Sequence, residues 1–234
     1  MFRNSIQVFA ALFFALLVAF AVGCQPSEHA VNGQDPQSEQ PRDTTSADGS
    51  QLSNPDLESE GLARATFAGG CFWCMEPPFD RLDGVVSTTS GYTDGPEQAP
   101  TYREVSSGQT GHTEAIEVLY NPDIVSYEEL LDAFWRAHDP TDLGGQFADR
   151  GSQYRPGIYT HNELQREQAE TSKAELEANG PFKEPIVTPI KPAQPFWIAE
   201  EYHQDYYQKN PGPYQRYYEG SGRKGFLERT WADE

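Results

Sequence analysis

The pattern of apolar and polar positions divides the chain into three stretches. Val8 to Val22 is an unbroken apolar run, residues 25–62 hold almost no aliphatic side chains, and from Ala63 onward short apolar segments recur at strand and helix periods. In that last stretch Ala65-Thr66-Phe67-Ala68 predicts a strand running into Gly69-Gly70, and Cys71 to Glu76 predicts the first turn of a helix that Pro77-Pro78 must shorten or kink. Val85 to Ser90 is β-branched and stops at Gly91, and His112 to Tyr120 alternates until Asn121-Pro122, giving two more strands. Ser126-Tyr127-Glu128-Glu129 is a capping box whose helix places Leu130, Leu131, Phe134 and Trp135 on one face. Asn162 and Gln165 open a helix over Glu163 to Asn179, closed by Gly180-Pro181. Gly157 to Thr160 and Pro185 to Ile190 read as strands, and Ala199 to Lys209 as a final helix. No segment repeats, and the elements intermix without a strict βαβ rhythm. The expected class is α+β, one domain with a mixed or antiparallel sheet and helices packed on it.

Composition changes the picture at the N-terminus. Met1-Phe2-Arg3-Asn4 carries one positive charge ahead of the apolar run, which ends at Gly23-Cys24, the layout of a secretory signal. The run is shorter than the roughly 18 residues wanted for a membrane span. Ala21-Val22-Gly23-Cys24 is similar to a bacterial lipobox, with Ala21 where that pattern usually has Leu. The expectation is a leader over residues 1–24, after which Cys24 becomes the lipidated first residue and several acyl chains give stable anchoring. Cleavage and secretion is the alternative. Residues 25–62 carry eight acids against Arg42 and too little apolar surface to repay ordering, so they read as an acidic disordered tether. Residues 63–234 are long enough for one core and read as a single folded domain. The expected setting is an exported protein anchored to a bacterial membrane, facing the periplasm or the outside.

Charge and cysteine usage narrow the chemistry. Residues 63–234 hold 28 acids and 15 bases, which argues against nucleic acid, whose binders need Lys/Arg patches. With Cys24 spent, Cys71 and Cys74 are the cysteines of the domain. A bridge between residues three apart closes almost no loop and would stabilise little, so the pair reads as chemical. A helix N-terminus after a glycine pair lowers a thiol pKa, which makes Cys71 the expected nucleophile, and Cys74 one turn later can reach the same sulfur. The motif alone leaves several readings open. They are buried apolar cysteines, a zinc half-site without a second pair, a thioredoxin-type disulfide exchanger, a Cys-His hydrolase with His112 or His203 as base, and a non-enzymatic envelope lipoprotein.

The rest of the chain distinguishes them. Gly69-Gly70-Cys71-Phe72-Trp73-Cys74-Met75-Glu76, Tyr102-Arg103-Glu104-Val105, Ser107-Gly108-Gln109-Thr110-Gly111-His112-Thr113-Glu114-Ala115, and Asp149-Arg150-Gly151-Ser152-Gln153-Tyr154-Arg155 followed by Ile158-Tyr159 occur in that order. Ala199-Glu200-Glu201-Tyr202-His203-Gln204 and Lys209-Asn210-Pro211 follow. Together these resemble the A-type methionine sulfoxide reductase family over essentially all of Thr66 to Pro211.

That resemblance implies a ferredoxin-like two-layer sandwich and reduction of the S epimer of methionine sulfoxide, in proteins and as the free amino acid. Cys71 would attack sulfur. Glu114 would give the proton to oxygen, since a carboxyl beside an apolar pocket keeps its neutral form. The hydroxyls of Tyr102 and Tyr154 would face the oxygen as an oxyanion hole does, with Asp149 in support. Phe72 and Trp73 would wall the pocket for the substrate methyl. Attack leaves a sulfenic acid on Cys71. Many family members resolve it with a cysteine near the C-terminus, and this chain has none after Cys74. Cys74 is therefore the expected resolving thiol, giving a Cys71–Cys74 disulfide that a thioredoxin-like donor reopens. No organic cofactor or metal is implied, and the implied partners are oxidised methionine in proteins and that reductant.

Overall fold

A computed structural model describes residues 61–96 and 98–232. The expected leader, Cys24 and the tether as far as residue 60 lie outside the described residues. Along the chain run β1 (Ala63–Gly69), α1 (Phe72–Asp80), β2 (Val85–Thr93), α2 (Tyr102–Ser106), β3 (Thr113–Tyr120) and α3 (Tyr127–Trp135). They are followed by β4 (Gly145–Gln146), β5 (Asp149–Arg150), β6 (Pro156–Thr160), α4 (Glu163–Asn179), β7 (Ile190–Pro192) and β8 (Trp197–Ile198). Three helices close the domain: α5 (Tyr206–Lys209), α6 (Pro211–Gly220) and α7 (Arg223–Thr230).

The six-stranded sheet has the order β7-β6-β1-β3-β2-β8, antiparallel except for β6 and β7. Its inner four strands, with α1 after β1 and α3 after β3, have the split βαβ arrangement of ferredoxin-like folds. β3 lies between β1 and β2 and is buried almost throughout. Register settles which side chains share a face. Phe67 opposes Ile116 and Tyr92 opposes Glu114, so all four point the same way, given the two-residue period of a strand. That face carries the helices, because Phe67 stacks on Phe79 of α1 (5.2 Å) and on Phe134 of α3 (5.0 Å). Glu114 is thus placed under α1 by the same alternation that buries Ile116 and Val118. Cutting Phe67 to Ala would cost about 3–5 kcal/mol.

Several boundaries differ from the sequence expectation. α1 continues through both prolines to Asp80, because Pro77 and Pro78 deprive only the carbonyls of Trp73 and Cys74 of helix donors. β2 does not stop at Gly91. A Cβ there would come within 2.5 Å of the Trp197 carbonyl, so glycine is what lets β8 approach and pair. The strand expected over Pro185 to Ile190 is limited to β7, since Pro185 and Pro189 lack ladder donors. The helix expected over Ala199 to Lys209 is broken into a 3-10 turn, Glu201–His203, and the short α5 by Asp205, whose φ is +52°. The helices α2, α6 and α7 were not foreseen, nor was the β4-β5 ribbon.

Candidate active site

β1 delivers the chain to the site through Gly69-Gly70. Gly70 has φ +88°, and a Cβ there would lie 2.6 Å from both Arg223 Nη2 and Gln146 Cβ, so the bend and the close approach both demand glycine. Cys71 then caps α1 with non-helical backbone (φ −54°, ψ 120°), and its carbonyl accepts from Cys74 N–H at 3.0 Å. Both thiols are reduced and buried, and Cys71 keeps 6% of its surface.

The expected lowering of the Cys71 pKa is not what this geometry produces. The thiol makes no capping hydrogen bond, and the first helix N–H, that of Phe72, donates instead to Glu114 Oε2 at 3.1 Å. Burial therefore dominates and pushes the Cys71 thiol well above its ordinary value, with the hydrogen bond to Cys74 adding to it. Cys74, inside the first turn, moves the other way, chiefly because it accepts from Cys71 and also because it faces the Arg223 guanidinium.

Glu114 is 1% exposed. Burial raises its carboxyl to about 8, against the Phe72 N–H, which favours the anion, and with help from nearby Asp149 and Cys74. It is a buried acid that holds its proton at neutral pH. Tyr102 and Tyr154 are half-buried, and both lie within the field of Glu114 and Cys71. Burial pushes the Tyr102 phenol to about 12 and raises Tyr154 further, so both stay hydrogen-bond donors. Tyr102 is set by Glu200, whose carboxylate accepts from Tyr102 N–H at 2.8 Å and from the Tyr92 hydroxyl at 2.9 Å.

Phe72 and Trp73 belong to a continuous aromatic cluster. Phe72 packs on His203 (4.9 Å) and Tyr92 (6.0 Å), while Trp73 stacks on Tyr206 (3.7 Å) and donates its indole N–H to His203 Nδ1 at 3.1 Å. Burial holds His203 near 4, neutral at physiological pH. Its Nδ1 is occupied as an acceptor, and the ring of His112 packs beneath Gly95. The groups that shift the Cys71 thiol are Cys74, Glu114 and Tyr217 and include neither ring, so neither histidine stands as the base a Cys-His hydrolase needs.

Asp149, on β5, is held by the Tyr217 hydroxyl, which donates to its Oδ2. Burial raises the Asp149 carboxyl, and Tyr217 and Arg223 oppose that. The structure therefore gathers Cys71, Cys74, Glu114, Tyr102, Tyr154, Asp149, Phe72 and Trp73 around one point. Sequence reasoning missed Tyr217, Glu200 and Tyr206. A signal for the first exists in Asn210-Pro211 ahead of Tyr214, Tyr217 and Tyr218, a helix start followed by i, i+3, i+4 aromatics.

A buried dithiol facing a protonated carboxyl and phenol donors defines a thiol-dependent reductase site. The family described as Peptide methionine sulfoxide reductase matches residues 63–234, and the chain belongs to that family. It is 57% identical over 175 residues to the Peptide methionine sulfoxide reductase MsrA of Bacillus velezensis, covering 75% of this chain and 99% of the relative. The protein of the same name from Bacillus subtilis is 56% identical over 173 residues, 74% of this chain and 98% of the relative. Among solved structures, Mxr1 from Saccharomyces cerevisiae in reduced form superposes with a TM-score of 0.62 at 35% identity, covering 65% of this chain and 88% of that one. Methionine sulfoxide reductase A of Corynebacterium diphtheriae gives 0.55 at 35% identity, covering 68% and 78%.

Proposed function

We propose that this chain reduces the S epimer of methionine sulfoxide in proteins and in the free amino acid, with Cys71 as nucleophile and Glu114 as acid. The observation that carries the reading is the carboxyl of Glu114, buried, protonated and held by Phe72 N–H beside the Cys71 thiol. A sulfoxide oxygen is a poor leaving group until protonated, and a soft sulfur is the right attacking atom.

The substrate methyl enters the aromatic wall of Phe72 and Trp73, which places the sulfoxide sulfur at Cys71 and its oxygen among Glu114, Tyr102 and Tyr154. Cys71 passes its proton toward Cys74, one turn along α1, and attacks sulfur. Glu114 protonates the oxygen, which transfers to Cys71 as methionine leaves, giving a sulfenic acid. Cys74 condenses with it, releasing water and forming the Cys71–Cys74 disulfide, and a thioredoxin-like dithiol restores both thiols. Asp149 steadies the network through Tyr217.

The apolar run before Gly23-Cys24 and the acidic stretch behind it support an exported, lipid-anchored setting, with the domain carried on a tether and oxidised envelope proteins as substrates. Labelling with a fatty-acid analogue, retained in the wild type and lost in Cys24→Ala, checks the anchor.

The activity is tested by following each epimer of a methionine sulfoxide peptide with thioredoxin. Turnover of the S epimer, abolished in Cys71→Ser and limited to a single event in Cys74→Ser, is the expected outcome. Folded wild type that consumes neither epimer, and instead reduces insulin disulfides, would make the protein a disulfide exchanger.

A further inference from the structure

Arg223, at the start of α7, is 1% exposed. Its guanidinium donates to the carbonyls of Ala137 and Gly69, the latter at 2.9 Å, approaches Met75 Sδ at 3.9 Å and lies over the Phe147 ring at 4.9 Å. All of these are neutral. A buried cation bonded only to neutral groups leaves its charge uncompensated, which is costly unless something negative stands close by. The acidic groups that face it are Cys74, Asp149 and the phenols of Tyr214 and Tyr218, and His138, which burial keeps neutral, also lies in its field. Its contacts flank the dithiol, since it reaches Gly69 O and Met75 Sδ on either side of Cys71 and Cys74 and a Cβ on Gly70 would meet its Nη2. Cys74 is the third residue of α1, while Cys71 caps that helix without a side-chain hydrogen bond to it.

The other titratable groups facing Cys74 are Cys71, Glu114, Asp149, Tyr214, Tyr217 and Tyr218. All are acids, so none supplies a positive charge. Arg81 and Arg136 line a cleft with Cys74 on the side of Pro78, but Arg81 is exposed to solvent and Arg136 is paired with Asp132.

We propose that Arg223 is a positioning residue of the recycling step, holding Cys74 as the thiolate that attacks the Cys71 sulfenic acid. The inference rests on the reductase reading above. In that step the Cys74 sulfur bonds to the Cys71 sulfur, the Cys71 S–O bond breaks, and the oxygen leaves as hydroxide, taking the proton Cys74 had given up to become water. The Cys74 sulfur is oxidised and the Cys71 sulfur reduced. When the donor's thiolate later attacks Cys71, the same cation makes Cys74 the better leaving group.

The test uses the full chain, given one equivalent of S-sulfoxide peptide. Methionine formed and sulfenic acid trapped by dimedone are followed across pH in the wild type, Arg223→Met and Arg223→Lys. In Arg223→Met the midpoint for disulfide closure rises by about one pH unit, so that closure at pH 7 slows about tenfold, and Arg223→Lys restores the wild-type midpoint. An unmoved midpoint in Arg223→Met, or a Lys variant that behaves like Met, overturns the proposal even if methionine forms. Absence of methionine in the wild type sinks the reductase reading instead. Should Arg223→Met not fold, thiolate absorbance in Cys71→Ser decides. Cys74 ionising below the ordinary thiol value of about 8.5 supports the role, and ionisation at or above it overturns the role.

Discussion

The β1-α1 corner and the C-terminal helices meet over the same two sulfur atoms, yet they are built on different principles. In the corner, backbone fixes everything. A strand register puts Glu114 under the helix, Gly70 makes the bend, and the Phe72 N–H locks the carboxyl. In the C-terminal region side chains do the work. Tyr206 covers Trp73, Tyr217 reaches Asp149, and Arg223 fills the space under Gly70, all from short helices that bury few of their own residues. The corner supplies the reacting groups and the C-terminal helices supply their surroundings, so damage to the first should remove chemistry and damage to the second should retune it.

The sharpest break is Cys71→Ser, for which no methionine should form above background in a single-turnover assay. Next comes Glu114→Gln, expected to slow methionine formation by about 10²–10⁴-fold. Wild-type activity should fall as pH rises through about 8, where Glu114 loses its proton, and the Gln variant should lose that limb of the profile. The same substitution gives a stability signature of definite sign. The folded carboxyl titrates above its ordinary 4.5, so the folded state binds more protons between 4.5 and about 8 and wild-type stability declines across that window. Glu114→Gln should therefore melt progressively higher than wild type as pH rises through that range, with little difference at low pH.

Gly70→Ala tests the meeting point of the two regions. Left-handed backbone and the clash with Arg223 and Gln146 should cost about 1–3 kcal/mol in urea unfolding. Tyr217→Phe should be milder, losing one hydrogen bond to Asp149, about 1 kcal/mol of stability, and slowing turnover by no more than about tenfold. If Tyr217→Phe abolished methionine formation as Cys71→Ser does, the division between the two regions would be wrong.

The corner was legible because its signals are local. Ala65 to Gly70 reads as strand and bend, Glu114 sits in an alternating strand, and Ser126 with Glu129 forms the expected capping box, which is present. The C-terminal region was not. Tyr206 to Thr230 has too many polar and exposed positions to show a buried stripe, and the break at Asp205 comes from one left-handed residue that no pattern of hydrophobicity records. Arg223 illustrates the limit, since nothing in Gly222-Arg223-Lys224 says that the first cation is buried and the second is on the surface. The direction of the Cys71 pKa was misread for a related reason. No local pattern records that the first helix N–H goes to Glu114 and not to the thiol, which leaves burial to prevail at Cys71.

Met75 stands one residue beyond Cys74, with none of its surface exposed and its sulfur pressed against the position of Gly69. The chain has one other methionine, Met1. A protein that meets oxidants in the course of its work thus offers them almost no substrate of its own kind. Its thioether is sealed in the packing that positions the dithiol, so the repair site is itself sheltered from the lesion it repairs.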